Sequence, residues 1–84
     1  MKYSVIWLPA AENELAALWT NSGRQADVSH AAHELDRRLA EFGAEEGESR
    51  ANDLRITFVP PLAIIFLADE PTKTVYVGRV WEYR

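Results

Sequence analysis

The chain has no cysteine, which excludes a disulfide framework, a thiolate metal site and a cysteine nucleophile. It also lacks a long hydrophobic run. The longest unbroken one, Phe58 to Ala68, is too short to cross a bilayer. The opening Met-Lys-Tyr-Ser-Val-Ile-Trp lacks the extended apolar stretch of a secretion signal. There are no internal repeats and no low-complexity tracts. No phosphate-cradling glycine loop, serine elbow or dinucleotide fingerprint is present. With 84 residues, 48% of them hydrophobic and 26% charged, the composition is that of a folded domain. A second hydrophobic core would not fit in this length. The expectation is one domain over residues 1–84, cytoplasmic, with no membrane segment.

The net charge of −4 argues against a general nucleic-acid binder, but it is unevenly spread. Residues 1–53 carry five basic and ten acidic side chains. Residues 54–84 carry Arg55, Lys73, Arg79 and Arg84 against Asp69, Glu70 and Glu82. Any contact with phosphate is therefore expected in the C-terminal third.

Tyr3 to Trp7 alternates in the manner of a short strand. Pro9 suits the first position of a helix, where a missing N–H costs nothing. Ala11, Leu15, Leu18 and Trp19 form its apolar stripe, and Asn21-Ser22-Gly23 ends it. Ser22 and Gln25 have the spacing of a capping box for a second helix, with Asp27 as the rival cap. Val28, Ala31, Ala32, Leu35, Leu39 and Phe42 make the apolar face of that helix, opposite His30, His33, Arg37 and Glu41. The short connection predicts a helical hairpin. Gly43 to Asp53 is polar and acidic and reads as a loop.

Beyond it the period becomes that of strands: Leu54–Val59, then Pro60-Pro61, Leu62–Ala68, the turn Asp69-Glu70-Pro71-Thr72, and Lys73–Trp81. The order β-α-α-β-β-β predicts an α+β domain, an antiparallel sheet with a helical hairpin on one face.

The strand Leu62–Ala68 is apolar at both parities. Leu62, Ile64 and Phe66 face one side, Ala63, Ile65 and Leu67 the other. Two helices can roof one sheet face and not both. Leaving Ile65 and Leu67 in water would forgo roughly 1.5–3 kcal/mol each, so the second face implies a protein partner, a homodimer, or cover by the chain's own Trp81–Arg84.

His30-x-x-His33 with Glu34 projects to the polar side with no third ligand fixed by spacing, so no metal site is expected. Arg37-Arg38 is too short for a basic patch. Glu45-Glu46-Gly47-Glu48 lacks the alternation of a calcium loop. Nothing calls for a cofactor.

Several strings together carry a resemblance: Tyr3-x-Val5-x-Trp7-x-Pro9-Ala10-Ala11, then Leu15-x-x-Leu18-Trp19, later Leu62-Ala63-Ile64-Ile65-Phe66 and Val75-x-Val77-x-Arg79-Val80. They resemble the RelE/ParE toxin superfamily of bacterial type II toxin–antitoxin modules, whose members include plasmid stabilisation proteins. The resemblance implies a cytoplasmic toxin neutralised by a cognate antitoxin that folds along its surface. It also implies one of two targets: the ribosome and its mRNA, cut by RelE-like members, or DNA gyrase, inhibited by ParE-like members.

Mapped onto that pattern, Arg55 falls where a sheet lysine is expected and Thr57 replaces a second. Ala63 stands in place of the central arginine, and Glu82 lies near the usual histidine. Metal-free RNA cleavage needs a base, a cation for the phosphorane and an acid. The weak catalytic candidates are Arg55, Arg79, Tyr83 and Arg84, an incomplete set. The expected function is ParE-like protein binding, through Ile65, Leu67, Arg79, Trp81 and Tyr83. Arg79 has an equally good structural role against Trp81, Glu82 or a helix carboxylate. The alternatives are a ribosome-dependent endoribonuclease and a non-toxic orphan interaction module.

Overall fold

The computed structural model describes residues 2–83. Arg84, one of the catalytic candidates, lies outside them. The elements run β1 (Ser4–Trp7), α1 (Pro9–Asn21), α2 (Gln25–Phe42), β2 (Glu48–Ser49), β3 (Leu54–Val59), β4 (Leu62–Asp69) and β5 (Thr74–Glu82), with short 3-10 turns at Gly43–Glu45 and Ala51–Asp53. The strands form one sheet in the order β1-β5-β4-β3-β2. No helix among the described residues is long and apolar enough to cross a membrane.

The architecture is the expected α+β one, with two corrections. The sheet is mixed: β3, β4 and β5 form an antiparallel meander, but β1 docks parallel to β5, with Val5 opposite Val75 and Trp7 opposite Val77. Short turns dictate antiparallel neighbours within the meander. Strand β1 is separated from β5 by both helices and the other strands rather than by a short turn, and is under no such constraint. The second correction is β2, which the acidic loop contributes as a fifth strand by pairing Glu48 with Ile56 and Ser49 with Arg55.

Pro9 opens α1 as expected. The capping box does not form. Helix α2 starts at Gln25 without a side-chain cap, and Ser22 Oγ instead accepts the Arg24 N–H at 2.9 Å. The hydroxyl thus closes the turn between the helices, a common local use of serine. Asp27 sits in the first helical turn and pairs with Arg24 at 3.6 Å.

Ala11 from α1 and Val28, Ala31, Leu35 and Leu39 from α2 pack on Leu62, Ile64, Phe66, Val75, Val77 and Val80, all essentially dry. Two expected core residues are not part of this layer. Trp19 is 45% exposed and Phe42 44%. The Trp19 indole N–H donates to Ser29 Oγ at 2.9 Å across the hairpin, a polar tie that holds the ring at the rim rather than beneath the helices.

The loop after α2 is more ordered than its polarity predicts. Gly43 adopts φ 48° and lies directly under the Tyr3 ring. Gly47 has φ 73°, and a Cβ there would strike the backbone of Ile56. Gly47→Ala therefore combines a left-handed backbone with a wall that cannot move. A loss of at least about 2 kcal/mol in urea unfolding is expected.

On the outer side of α2, Glu34 accepts from Arg37 at 2.6 Å and from Arg38 at 2.9 Å. Those two hydrogen bonds, the Arg37 one first, hold its carboxyl at about 2, below its ordinary value. A carboxyl lowered on folding stabilises the native state fully above its unfolded pKa, and loses that contribution as pH falls through the folded value. The Glu34 carboxyl carbon should titrate near pH 2 by NMR. Glu34→Gln should remove its share of the acid sensitivity between the ordinary glutamate range and pH 2.

Candidate functional site: the open face of the sheet

Antiparallel neighbours share a face, so the register assigns every strand residue to the helical or the open side. The open side holds three largely apolar rows, bordered by a polar one, Ser4–Thr74–Asp69. The first runs Ile6–Tyr76–Leu67–Leu54, the second Arg79–Ile65–Ile56–Glu48 and the third Trp81–Ala63–Phe58. Past the third row Tyr83 turns back. Its N–H donates to the Pro61 carbonyl at 2.8 Å, and its ring meets Phe58 edge-on with centroids 5.0 Å apart. Cover by the described C-terminal residues is thus partial: Tyr83 closes one end of the face. Ile6 is 45% exposed, Leu54 36% and Phe58 42%, whereas Ile65, Leu67, Tyr76 and Trp81 are half-buried among them. The result is a contiguous apolar and aromatic surface with Arg79, Glu48 and Asp69 at its margins.

Of the residues singled out from sequence, Ile65, Leu67, Trp81 and Tyr83 come together on this face. Arg79 belongs to it by register, but its guanidinium is drawn over the sheet edge. Nε donates to Glu14 Oε2 at 2.6 Å, and the other carboxylate oxygen accepts the Val80 N–H at 3.0 Å. These contacts, the Val80 N–H foremost, lower the pKa of Glu14 from its ordinary value. The partner of Arg79 is thus a helix carboxylate, not Trp81 or Glu82.

Arg55 lies on the opposite side of β3, beside Phe66. It donates to the Glu46 carbonyl at 2.8 Å, Ser49 Oγ at 2.9 Å and the Gly47 carbonyl at 2.9 Å. Thr57, on the same side, donates to Glu46 Oε2 at 2.7 Å. Both residues fasten the acidic loop to the sheet.

The positions that share a face with Ala63 are Leu54, Ile56 and Phe58, not Arg55 and Thr57. The apolar alternation of Leu54, Ile56 and Phe58 was visible in the sequence and is the signal that identifies these missed members. Glu14 gave no such signal, since its contacts come from residues 65 and 66 positions away. Chemically the three rows offer apolar area and ring faces. Among the described residues of the open face there is no imidazole, the carboxylates Glu48 and Asp69 stand at its margins, and the cation Arg79 is already paired.

The mixed five-stranded α+β fold with a helical hairpin on one face has counterparts in solved toxin–antitoxin systems. Among solved structures, a chain of the chromosomal ParDE toxin–antitoxin system from P. aeruginosa matches with a TM-score of 0.74 at 15% identity, over 99% of this chain and 98% of that one. A chain of the toxin–antitoxin complex RelBE2 from Mycobacterium tuberculosis matches with a TM-score of 0.66 at 21% identity, over 100% of both chains. At these identities the likeness is one of fold. No protein-family model matches the sequence, and a search of curated proteins finds no match.

Proposed function

We propose that the chain is the toxin-type subunit of a type II toxin–antitoxin pair, acting in the cytoplasm by binding protein rather than by cleaving RNA. The observation that carries this reading is the chemistry of the open face. Where phosphoryl transfer would need a base, a cation and an acid arranged around one phosphate, the three rows present Leu54, Phe58, Ile65 and Leu67, with Ile56 and Ala63 buried beneath them. Removing a single electrostatic donor from an active site typically costs about 10²–10³ in rate, and here Ala63 and its neighbours on β3 supply none. A surface of this kind suits a protein segment with an apolar side, and an antitoxin that folds on binding can cover it at the cost of its own ordering. The full-length likeness to chains from toxin–antitoxin complexes supports the same partner class.

Inducible expression with and without the cognate antitoxin tests the reading. Growth should stop when the chain is made alone and resume on co-expression. Primer extension on translated mRNA should show no codon-positioned cuts. Such cuts, lost in Tyr83→Phe, would establish the endoribonuclease instead.

A further inference from the structure

We propose that the partner segment laid over the open face is basic: its apolar side covers the three rows, and its lysine or arginine residues reach carboxylates along their margin. The proposal rests on the protein-binding reading of that face and adds the partner's charge to it. What carries it is the balance of charge around the rows. On the β2 side Glu48 stands 3.6 Å from Arg50. On the β5 side Glu14 holds Arg79 at 2.6 Å. In the turn after β4, Glu70 holds Lys73 at 2.9 Å. Each of these cations is matched by a carboxylate, and two carboxylates remain. Asp53, just before β3, has no ion-pair partner among the described residues, and neither has Asp69 at the end of β4. Asp69 accepts a neutral donor, the Thr72 hydroxyl, at 2.9 Å.

Both carboxylates border one hollow of about 510 Å³ beside the first row, lined in part by Leu67 and Ala68. Arg50 and Arg55 border it too. Arg50 is turned to Glu48, and Arg55 spends Nε, Nη1 and Nη2 on acceptors in the acidic loop. A lysine or arginine side chain suits such a place, because its methylene stem lies on apolar surface while its charged head stays with the carboxylates. The charge of the whole chain has the same sign. At −4 it draws a basic segment toward the surface and repels an acidic one. It likewise disfavours a phosphodiester backbone and a second copy of the chain, which brings the same −4 to the contact. A basic protein segment is the occupant that both the apolar rows and their margin accept.

The test uses two amphipathic peptides of about eighteen residues, long enough to span the sheet as helices at about 1.5 Å per residue. They share a leucine side and differ on the polar side, lysine in one and glutamate in the other. The lysine peptide should bind the full chain more tightly, shift the amide resonances of Leu54, Ile65 and Leu67, and weaken as salt is added. Asp53→Asn with Asp69→Asn should lower its affinity about fivefold, the worth of two exposed ion pairs. Asparagine tolerates the φ of 65° at position 53, and at 69 it keeps an acceptor for Thr72. If the double variant does not fold, Asp69→Asn alone should cost about twofold. Asp27→Asn with Glu41→Gln removes the same amount of charge from α2 and should change the affinity by less than about 1.5-fold. Equal losses in the two pairs of variants would overturn the proposal, since the peptide would then follow net charge alone. A glutamate peptide that shifts the same open-face amides and binds as tightly would also overturn it, while leaving the protein-binding reading standing. No binding by either peptide, or shifts confined to the helices, would overturn both. Concentration-dependent dimerisation through Leu54, Ile65 and Leu67 would overturn the proposal by giving the face to a second copy of the chain.

Discussion

Replacing Leu67 with Glu and Trp81 with Ala should weaken binding of the proposed antitoxin at least about 100-fold, or about 2.7 kcal/mol, while the protein stays folded. Leu67 lies at the centre of the first open row, between Tyr76 and Leu54. Trp81 stands opposite Ala63 in the third. Neither belongs to the dry layer between sheet and helices. A carboxylate at 67 would have to be desolvated beneath any apolar segment laid over it, and removal of the indole takes away the largest ring on the face. Calorimetric titration with the antitoxin measures the affinity, and circular dichroism checks the fold. Unchanged affinity in a folded double variant would remove the open face from the interface.

The largest loss of stability is expected from Phe66→Ala. Phe66 is the bulkiest fully buried side chain. It lies next to the β4–β5 bulge, opposite Val77 on β5 and Arg55 on β3. Truncating a ring of this kind leaves a cavity whose walls are held by strands on both sides, and about 3–5 kcal/mol should be lost. Domains of this size have about 5–15 kcal/mol in all, so the variant should be partly unfolded at growth temperature. Urea denaturation would show the midpoint falling. A loss below about 1 kcal/mol would mean that the core repacks around the gap.

The two substitutions separate the faces of one strand, and the sequence alone could not assign them. Leu62 to Ala68 is apolar at both parities, so periodicity predicts a two-faced strand without naming the face under the helices. The helices settle it. Ala11, Val28, Ala31, Leu35 and Leu39 close on Leu62, Ile64 and Phe66, which leaves Ile65 and Leu67 on the far side. Arg55 makes the same point from β3. Its position in the chain matches a basic site in a resembling family, yet the register with β4 turns it away from Ala63 and into the acidic loop. A one-residue difference in register exchanges the faces of a strand.

Local signals in the chain were enough to define the helical hairpin, the three-strand meander and the excess of apolar surface over what two helices can roof. Pro9, the three-and-four spacing of α2 and the turn residues at 60–61 and 69–72 act over a few positions and need no distant partner. Tertiary structure alone decided the parallel docking of β1, the recruitment of Glu48–Ser49 as a strand, the faces of Arg55 and Ile65, and the use of Glu14 at the edge of β5. Each of these depends on a contact between residues remote in sequence, and such contacts are chosen by which surfaces meet once the helices have closed on the sheet.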